Sequence, residues 1–216
     1  MTDPAISPPR LPPLLAEDGP APAGTDEWFE QRITGSFAGL ERARLDVSCC
    51  RLDGARFTGA EFGDLRLSDT VVDGCDLSGA VLAGLSAVRV EFIGCRMSGV
   101  VASGAHFRDV RFVDCKLDEA NFRMTDWDRS GFSDCVLAGV DFNSAKLPGV
   151  RLWDCDLTGA DFSGASMAGA VLRGSTLDGL RGGSSLRGAV VGTDQVVSLI
   201  PALLAALGIR VEDDAE

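Results

Sequence analysis

Five cysteines, Cys75, Cys95, Cys115, Cys135 and Cys155, stand 20 residues apart. Each is followed two residues later by Leu77, Met97, Leu117, Leu137 or Leu157. A spacing this strict places residue n and residue n+20 at equivalent points of a repeating structure. A finer period of five lies within it. Take every fifth residue from Phe37 to Leu177 as a centre, i. Ten of the chain's 11 phenylalanines are then centres, and most of the other centres are Leu. Position i−2 is small in nearly every unit: Ala, Cys, Val, Ser, Thr or Gly. Among all these positions only Arg42 carries a charge.

Residues two apart lie on one side of an extended segment. Positions i−2 and i therefore face a common interior, and i+1 and i+2 must supply a corner. Glycine at i+2 (Gly59, Gly79, Gly99, Gly139, Gly159) suits a tight corner. A large residue at i beside a small one at i−2 fills a narrow square interior without voids. Four such sides make one coil of 20 residues. Coils joined by backbone hydrogen bonds stack about 4.8 Å apart, so about seven coils make a rod on the order of 35 Å long. After Leu177 the frame slips: the next centres are Leu186 and Val191, and Gly182-Gly183 absorbs a missing residue. The coils are expected to end near Val191.

The units ARFTG, AEFGD, CDLSG, ANFRM, VDFNS, CDLTG and ADFSG resemble the pentapeptide-repeat family, and the resemblance runs from residue 37 to 177 without an insertion. It implies an all-β fold, a right-handed quadrilateral parallel β-helix, closed by a C-terminal helix used for capping and dimerisation. The best-understood members of the family mimic duplex DNA. They bind DNA gyrase or topoisomerase IV and protect it from quinolones or toxins. Uninterrupted coils, an acidic balance and an apolar C-terminal helix make this chain most similar to the loop-less dimeric mycobacterial fluoroquinolone-resistance type. The alternative is a structural or adaptor solenoid with another protein partner.

The ends read differently from the coils. Residues 1–24 hold seven of the nine prolines, which predicts a disordered or polyproline-like tail. Thr25 to Glu30 reads as a short amphipathic helical turn, with Trp28 and Phe29 covering the first layer of a β-helix that spans 25–192. Thr193-Asp194 starts a helix spanning 193–210, either kinked at Pro201 or beginning near Ser198, with Gly208 as its C-cap. That helix is apolar almost all round. One side can cap the last coil, and Val197, Leu199, Ile200, Leu203, Leu204 and Leu207 are expected to meet a second copy across a two-fold axis. Residues 211–216 form an acidic tail.

The net charge of −12 argues against direct nucleic-acid binding. The two ends take −4 and −3 of it, leaving −5 on the coils. Asp114, Asp134 and Asp154 form a column at the corner before the cysteines, and Asp141 and Asp161 stack on another side. Under the resemblance these five would stand in for phosphates. Beside the corner column, Ile93, Val113 and Trp153 occupy i+1 positions and would line an exposed apolar strip.

Little points to catalysis. His106 sits at i−1, facing solvent, with Asp109 near it but no serine or inward cysteine to complete a relay. The five cysteines project in parallel from successive coils, which suits neither tetrahedral metal ligation nor a disulfide. They read as small core hydrophobes, and Cys49 as the most exposed thiol. No cofactor and no metal are expected. With no basic-then-apolar start and no apolar run of membrane length, the chain is expected to be cytoplasmic and to avoid membranes.

Overall fold

The computed structural model describes residues 6–13, 15 and 26–211. Its strands pair in parallel with the register of the sequence period. Val71 pairs with Glu91, Glu91 with Arg111, Arg111 with Gly131 and Gly131 with Arg151. The longest strands, Leu65–Asp73, Ser86–Ile93 and His106–Val113, each bend through a corner and serve two adjacent sides. Elsewhere single bridges, such as Asp76 with Arg96 and Asp141 with Asp161, join turn to turn. The result is a four-sided parallel β-helix. We name its sides by their residues: cysteine (Cys75 to Cys155), alanine (Ala60, Ala80, Ala120, Ala160), histidine (His106 outward) and tryptophan (Trp153 outward).

Every i and i−2 residue from Leu45 to Leu180 is buried. Equivalent side chains stack one per rung. Phe92, Phe112 and Phe132 lie nearly parallel, with ring centres 4.6 and 4.8 Å apart. Phe122, Phe142 and Phe162 repeat this on the alanine side at 5.5 and 5.3 Å. These separations match the strand spacing, so one geometry serves both the backbone ladder and the aromatic stack. Trp127 replaces a phenylalanine and stacks on Phe107 at 3.9 Å. Its Nε1–H donates to Thr125 Oγ1, whose hydroxyl donates to the Phe122 carbonyl. The larger ring therefore leaves no buried donor unmade.

At the corners, every i+2 residue from Cys49 to Gly179 except Asp64 has positive φ. Gly and Asp, which enter the left-handed region at lower cost than most residues, fill most of these positions, with Arg89 and Arg129 among the exceptions.

The stack begins earlier than the repeat pattern indicates. Trp28 pairs with Val47 and Ile33 with Leu52, an offset of 19, whereas Ser36 pairs with Arg56 at the full 20. Glu27–Phe29 is thus a strand rather than the expected helical turn. Trp28 does cover the first layer, 3% exposed and tilted against Phe37 and Phe57. Phe29 does not, because strand alternation turns it outward and leaves it 51% exposed.

Of the proline-rich tail, expected to be disordered or polyproline-like, residues 6–13 lie along the outside of the rod, with Ile6 buried. The rest of that expectation, for 1–5, 14 and 16–24, lies outside the described residues, as do Thr25 and the acidic 212–216.

At the other end Asp161 pairs with Arg181 at an offset of 20, but Val171 pairs with Val190 at 19. The missing residue falls at the 3₁₀ turn Gly183–Leu186, beside the predicted Gly182-Gly183 slip. Neither glycine has room for a side chain. A Cβ on Gly182 would sit 2.4 Å from the Ser163 nitrogen, and one on Gly183 would sit 2.3 Å from the Ala202 oxygen. A turn at Thr193–Gln195 leads into helix α1, Val196–Ala206, which runs through Pro201 without stopping. Leu199 is 4% exposed and packs into the core, so it seats the helix on the last coil and is withdrawn from the expected dimer face.

Candidate interaction surfaces

Asp114, Asp134 and Asp154 occupy the corner between the tryptophan and cysteine sides, a column that elsewhere holds Gly54, Gly74, Gly94 and Gly174. Their φ values are 52, 56 and 52°, a conformation Asp tolerates better than most residues. Each backbone N–H donates up the rod, to the carbonyls of Ser133, Trp153 and Arg173 respectively, at 3.1 Å. The side chains are exposed, and among the described residues they make no ion pair. Stacked like charges without counter-ions concentrate negative potential along one edge.

Asp141 and Asp161 are different. Asp141 Oδ2 meets Arg123 at 3.0 Å, and its Oδ1 accepts the Asn143 N–H at 2.8 Å. Asp161 lies 3.4 Å from Arg181 and accepts the Ser163 N–H at 2.8 Å. Burial pushes the Asp161 carboxyl up, but hydrogen bonds from Ser163 and the charges of Arg181 and Arg123 outweigh it, so the group titrates below its ordinary value. These two acids belong to a neutralised side, not to an open acidic stripe.

On the tryptophan side Ile93 pairs with Val113, Val113 with Ser133, and Ser133 with Trp153. Ile93, Val113 and Trp153 are half-buried, not fully exposed, and Ser133 interrupts them. The Arg151 guanidinium stands 5.4 Å from the Trp153 ring centre, a cation–π contact. Gly131, flanked in register by Arg111 and Arg151, leaves a dent of about 210 Å³ floored by Phe132 and edged by Val113, Trp153 and Ile6.

A family model for the pentapeptide repeat region matches residues 45–122 and 105–181, more than half of the chain. The chain belongs to the pentapeptide-repeat family. No curated protein matches it significantly. Among solved structures, a trypsin-treated variant of QnrB1, a plasmid-mediated fluoroquinolone resistance protein, is 17% identical, with 84% of this chain and 99% of that one covered and a TM-score of 0.48. HetL, involved in heterocyst differentiation regulation in Nostoc sp. strain PCC 7120, is 17% identical over 75% and 91% of the two chains, with a TM-score of 0.30. Rfr23 from the cyanobacterium Cyanothece 51142 is 21% identical over 48% and 88%, with a TM-score of 0.29.

In this pentapeptide-repeat protein the corner between the histidine and tryptophan sides carries a second charge pattern, missed in the sequence. Arg89 grips Asp69 through Nε and Nη2 at 2.6 and 2.5 Å. Arg129 grips Asp109 in the same way at 2.9 Å twice. The guanidiniums hold both carboxyls below their ordinary values. The available signal was opposite charge at i+2 positions 20 apart. Asp109 is accordingly no partner for His106, which is 69% exposed and lies 3.5 Å from Asp126. Cys49 heads the same corner, half-buried, and burial followed by the Asp69 charge pushes its thiol up, away from the reactive thiolate.

All seven thiols are free, and burial raises Cys75 to about 11. In the ladder the S–H groups donate to carbonyls, Cys95 to Val72 at 3.3 Å and Cys115 to Phe92 at 3.4 Å. Among the described residues no three His, Cys, Asp or Glu side chains could hold a metal, and no helix is long and apolar enough to cross a membrane.

Proposed function

We propose that this protein is a non-enzymatic binding rod that mimics DNA and engages a type II topoisomerase, DNA gyrase or topoisomerase IV. The observation that carries the reading is the corner column of Asp114, Asp134 and Asp154, exposed, without an ion pair among the described residues and repeated once per rung. A regular line of fixed negative charge is what a groove lined to receive a phosphate backbone would accept. Asp141 and Asp161, already matched to arginines, contribute shape more than charge. Two copies joined through Val197, Ile200 and Leu203 of α1 and Leu207 just beyond it, with Leu204 half-buried beneath them, would present the column twice along a longer rod. Purified gyrase in a supercoiling assay decides the matter. Inhibition, or protection from a quinolone, is expected, and its loss when the three aspartates become asparagine ties it to the column. Neither effect at saturating protein sinks the reading.

The dent at Gly131 favours a second reading, an adaptor that takes a partner's apolar side chain between Arg111 and Arg151, against Val113 and Trp153. Aromatic and arginine residues around a small pocket are the usual anchors of such contacts. A partner other than a topoisomerase, captured by the wild type and lost with Trp153→Ala, supports this reading over the first.

A further inference from the structure

The proline-rich segment is held on the rod by a geometry that occurs twice. Ser7 N–H donates to Asp109 Oδ1 at 3.2 Å, and Arg10 N–H donates to Asp69 Oδ1 at 3.0 Å. In both cases the same oxygen also accepts an arginine Nε from one rung away, Arg129 or Arg89. Asp69 and Asp109 lie two rungs apart, about 9.6 Å. Three residues of polyproline II helix rise about 9.3 Å and complete one turn, so amides three apart point the same way. A segment of that conformation matches the pitch of the ladder, as the two amide contacts three residues apart require. The intervening Pro8 and Pro9 hold φ near the polyproline value and offer no competing donor. Three residues on, Pro13 has no N–H, and two rungs above Asp109 the corner holds Gly149 with no carboxylate. Anchors and donors thus coincide at two places. Ile6 adds an apolar contact, 5% exposed at the edge of the Gly131 dent, and its carbonyl accepts Arg111 Nη2 at 2.8 Å. Along this track Asp109 is only 5% exposed and the outward-facing Val71 only 7%.

We propose that the corner formed by Asp69 and Asp109, with the adjoining dent, is a binding site for an extended proline-rich peptide, and that residues 6–13 are its resident occupant. The ligand class is a polyproline II segment with an apolar residue followed by free amides three residues apart. A partner's segment of this kind enters when the resident one leaves. The site reads backbone, through carboxylates pre-set by their arginines, and takes one side chain as an anchor, a mode that suits an already extended ligand of low conformational entropy.

The test uses the full chain with Ile6→Asp and Ser7→Pro, which removes the anchor and one donor but leaves the rod untouched. A fluorescein-labelled peptide of residues 6–13 should bind this variant by anisotropy. It should bind the wild type at least about tenfold more weakly, because the resident segment competes at millimolar effective concentration. A depsipeptide with ester oxygens in place of the Ser7 and Arg10 N–H groups should lose at least about tenfold. No binding to the variant at about 1 mM peptide, or equal binding of amide and ester peptides, overturns the proposal. A second measurement needs no peptide. Tryptic cleavage after Arg10 should be at least about tenfold slower in the wild type than in the variant, and equal rates overturn the proposal as well.

Discussion

Gln195 shows how one side chain can stand in for a missing rung. The last coil has no successor to receive its carbonyls, and the buried Gln195 amide donates to those of Leu172 and Ser175 at 2.7 and 2.5 Å. Its Oε1 accepts the Gly192 N–H at 2.6 Å. Gln195→Ala should cost about 1–3 kcal/mol, the desolvation penalty of buried acceptors left unmade, read as a lower Tm. Gly183→Ala should cost at least as much, because backbone and not a movable side chain occupies the space. At Asp69 and Asp109 the effect depends on pH. Both carboxyls titrate lower in the fold than in a free chain, held there by Arg89 and Arg129. Their stabilisation is complete above the free-chain value of about 3.9 and is lost as pH falls through it toward the lower folded values. Asp109→Asn should therefore lower stability by ~1 kcal/mol at pH 7, modest because Arg129 is half-exposed, and the gap to wild type should close below about pH 4. Single-residue roles on the inside were legible beforehand, because size alternation dictates them. The Asp–Arg grips were not, because the repeat fixes which residues are neighbours but not which way an outward side chain turns.

At the scale of elements, the interior coils follow from their period and the ends do not. The first strands escaped the pattern because their i−2 positions hold Asp26 and Gln31, where the next coil holds Leu45 and Cys50, and because a residue is missing between Ile33 and Ser36. The tail escaped because proline content argues for an extended chain but says nothing about what it rests on. Helix α1 was foreseen, but its faces were not. Burial separates Leu199, turned to the coil, from Val197 at 75% and Leu207 at 74% exposure. An exposed apolar face of this size argues for a partner surface. Leu203→Glu with Leu207→Glu should leave the fold intact, since both side chains point away from it, and should yield a monomer by light scattering. An unchanged dimer mass would place the interface elsewhere, and a wild type that is already monomeric would remove it.

The whole molecule is a one-dimensional stack in which each coil touches only its neighbours, so stability should be graded along it. Amide exchange is expected to be slowest between Phe107 and Phe142, where rings stack on three sides of the rod, and faster toward Glu27 and toward α1. Uniform protection from end to end would contradict this. The acidic column and the segment-binding corner flank the tryptophan side on opposite edges, so one face of the rod carries both proposed contacts. That face also holds an optical signal. The chain has no tyrosine and three tryptophans. Trp28 and Trp127 are sealed in the interior, at 3 and 2% exposure, and only Trp153 meets solvent. Its emission alone should be open to acrylamide and should shift when anything settles beside Arg151, so the protein can report occupancy of this face without a label.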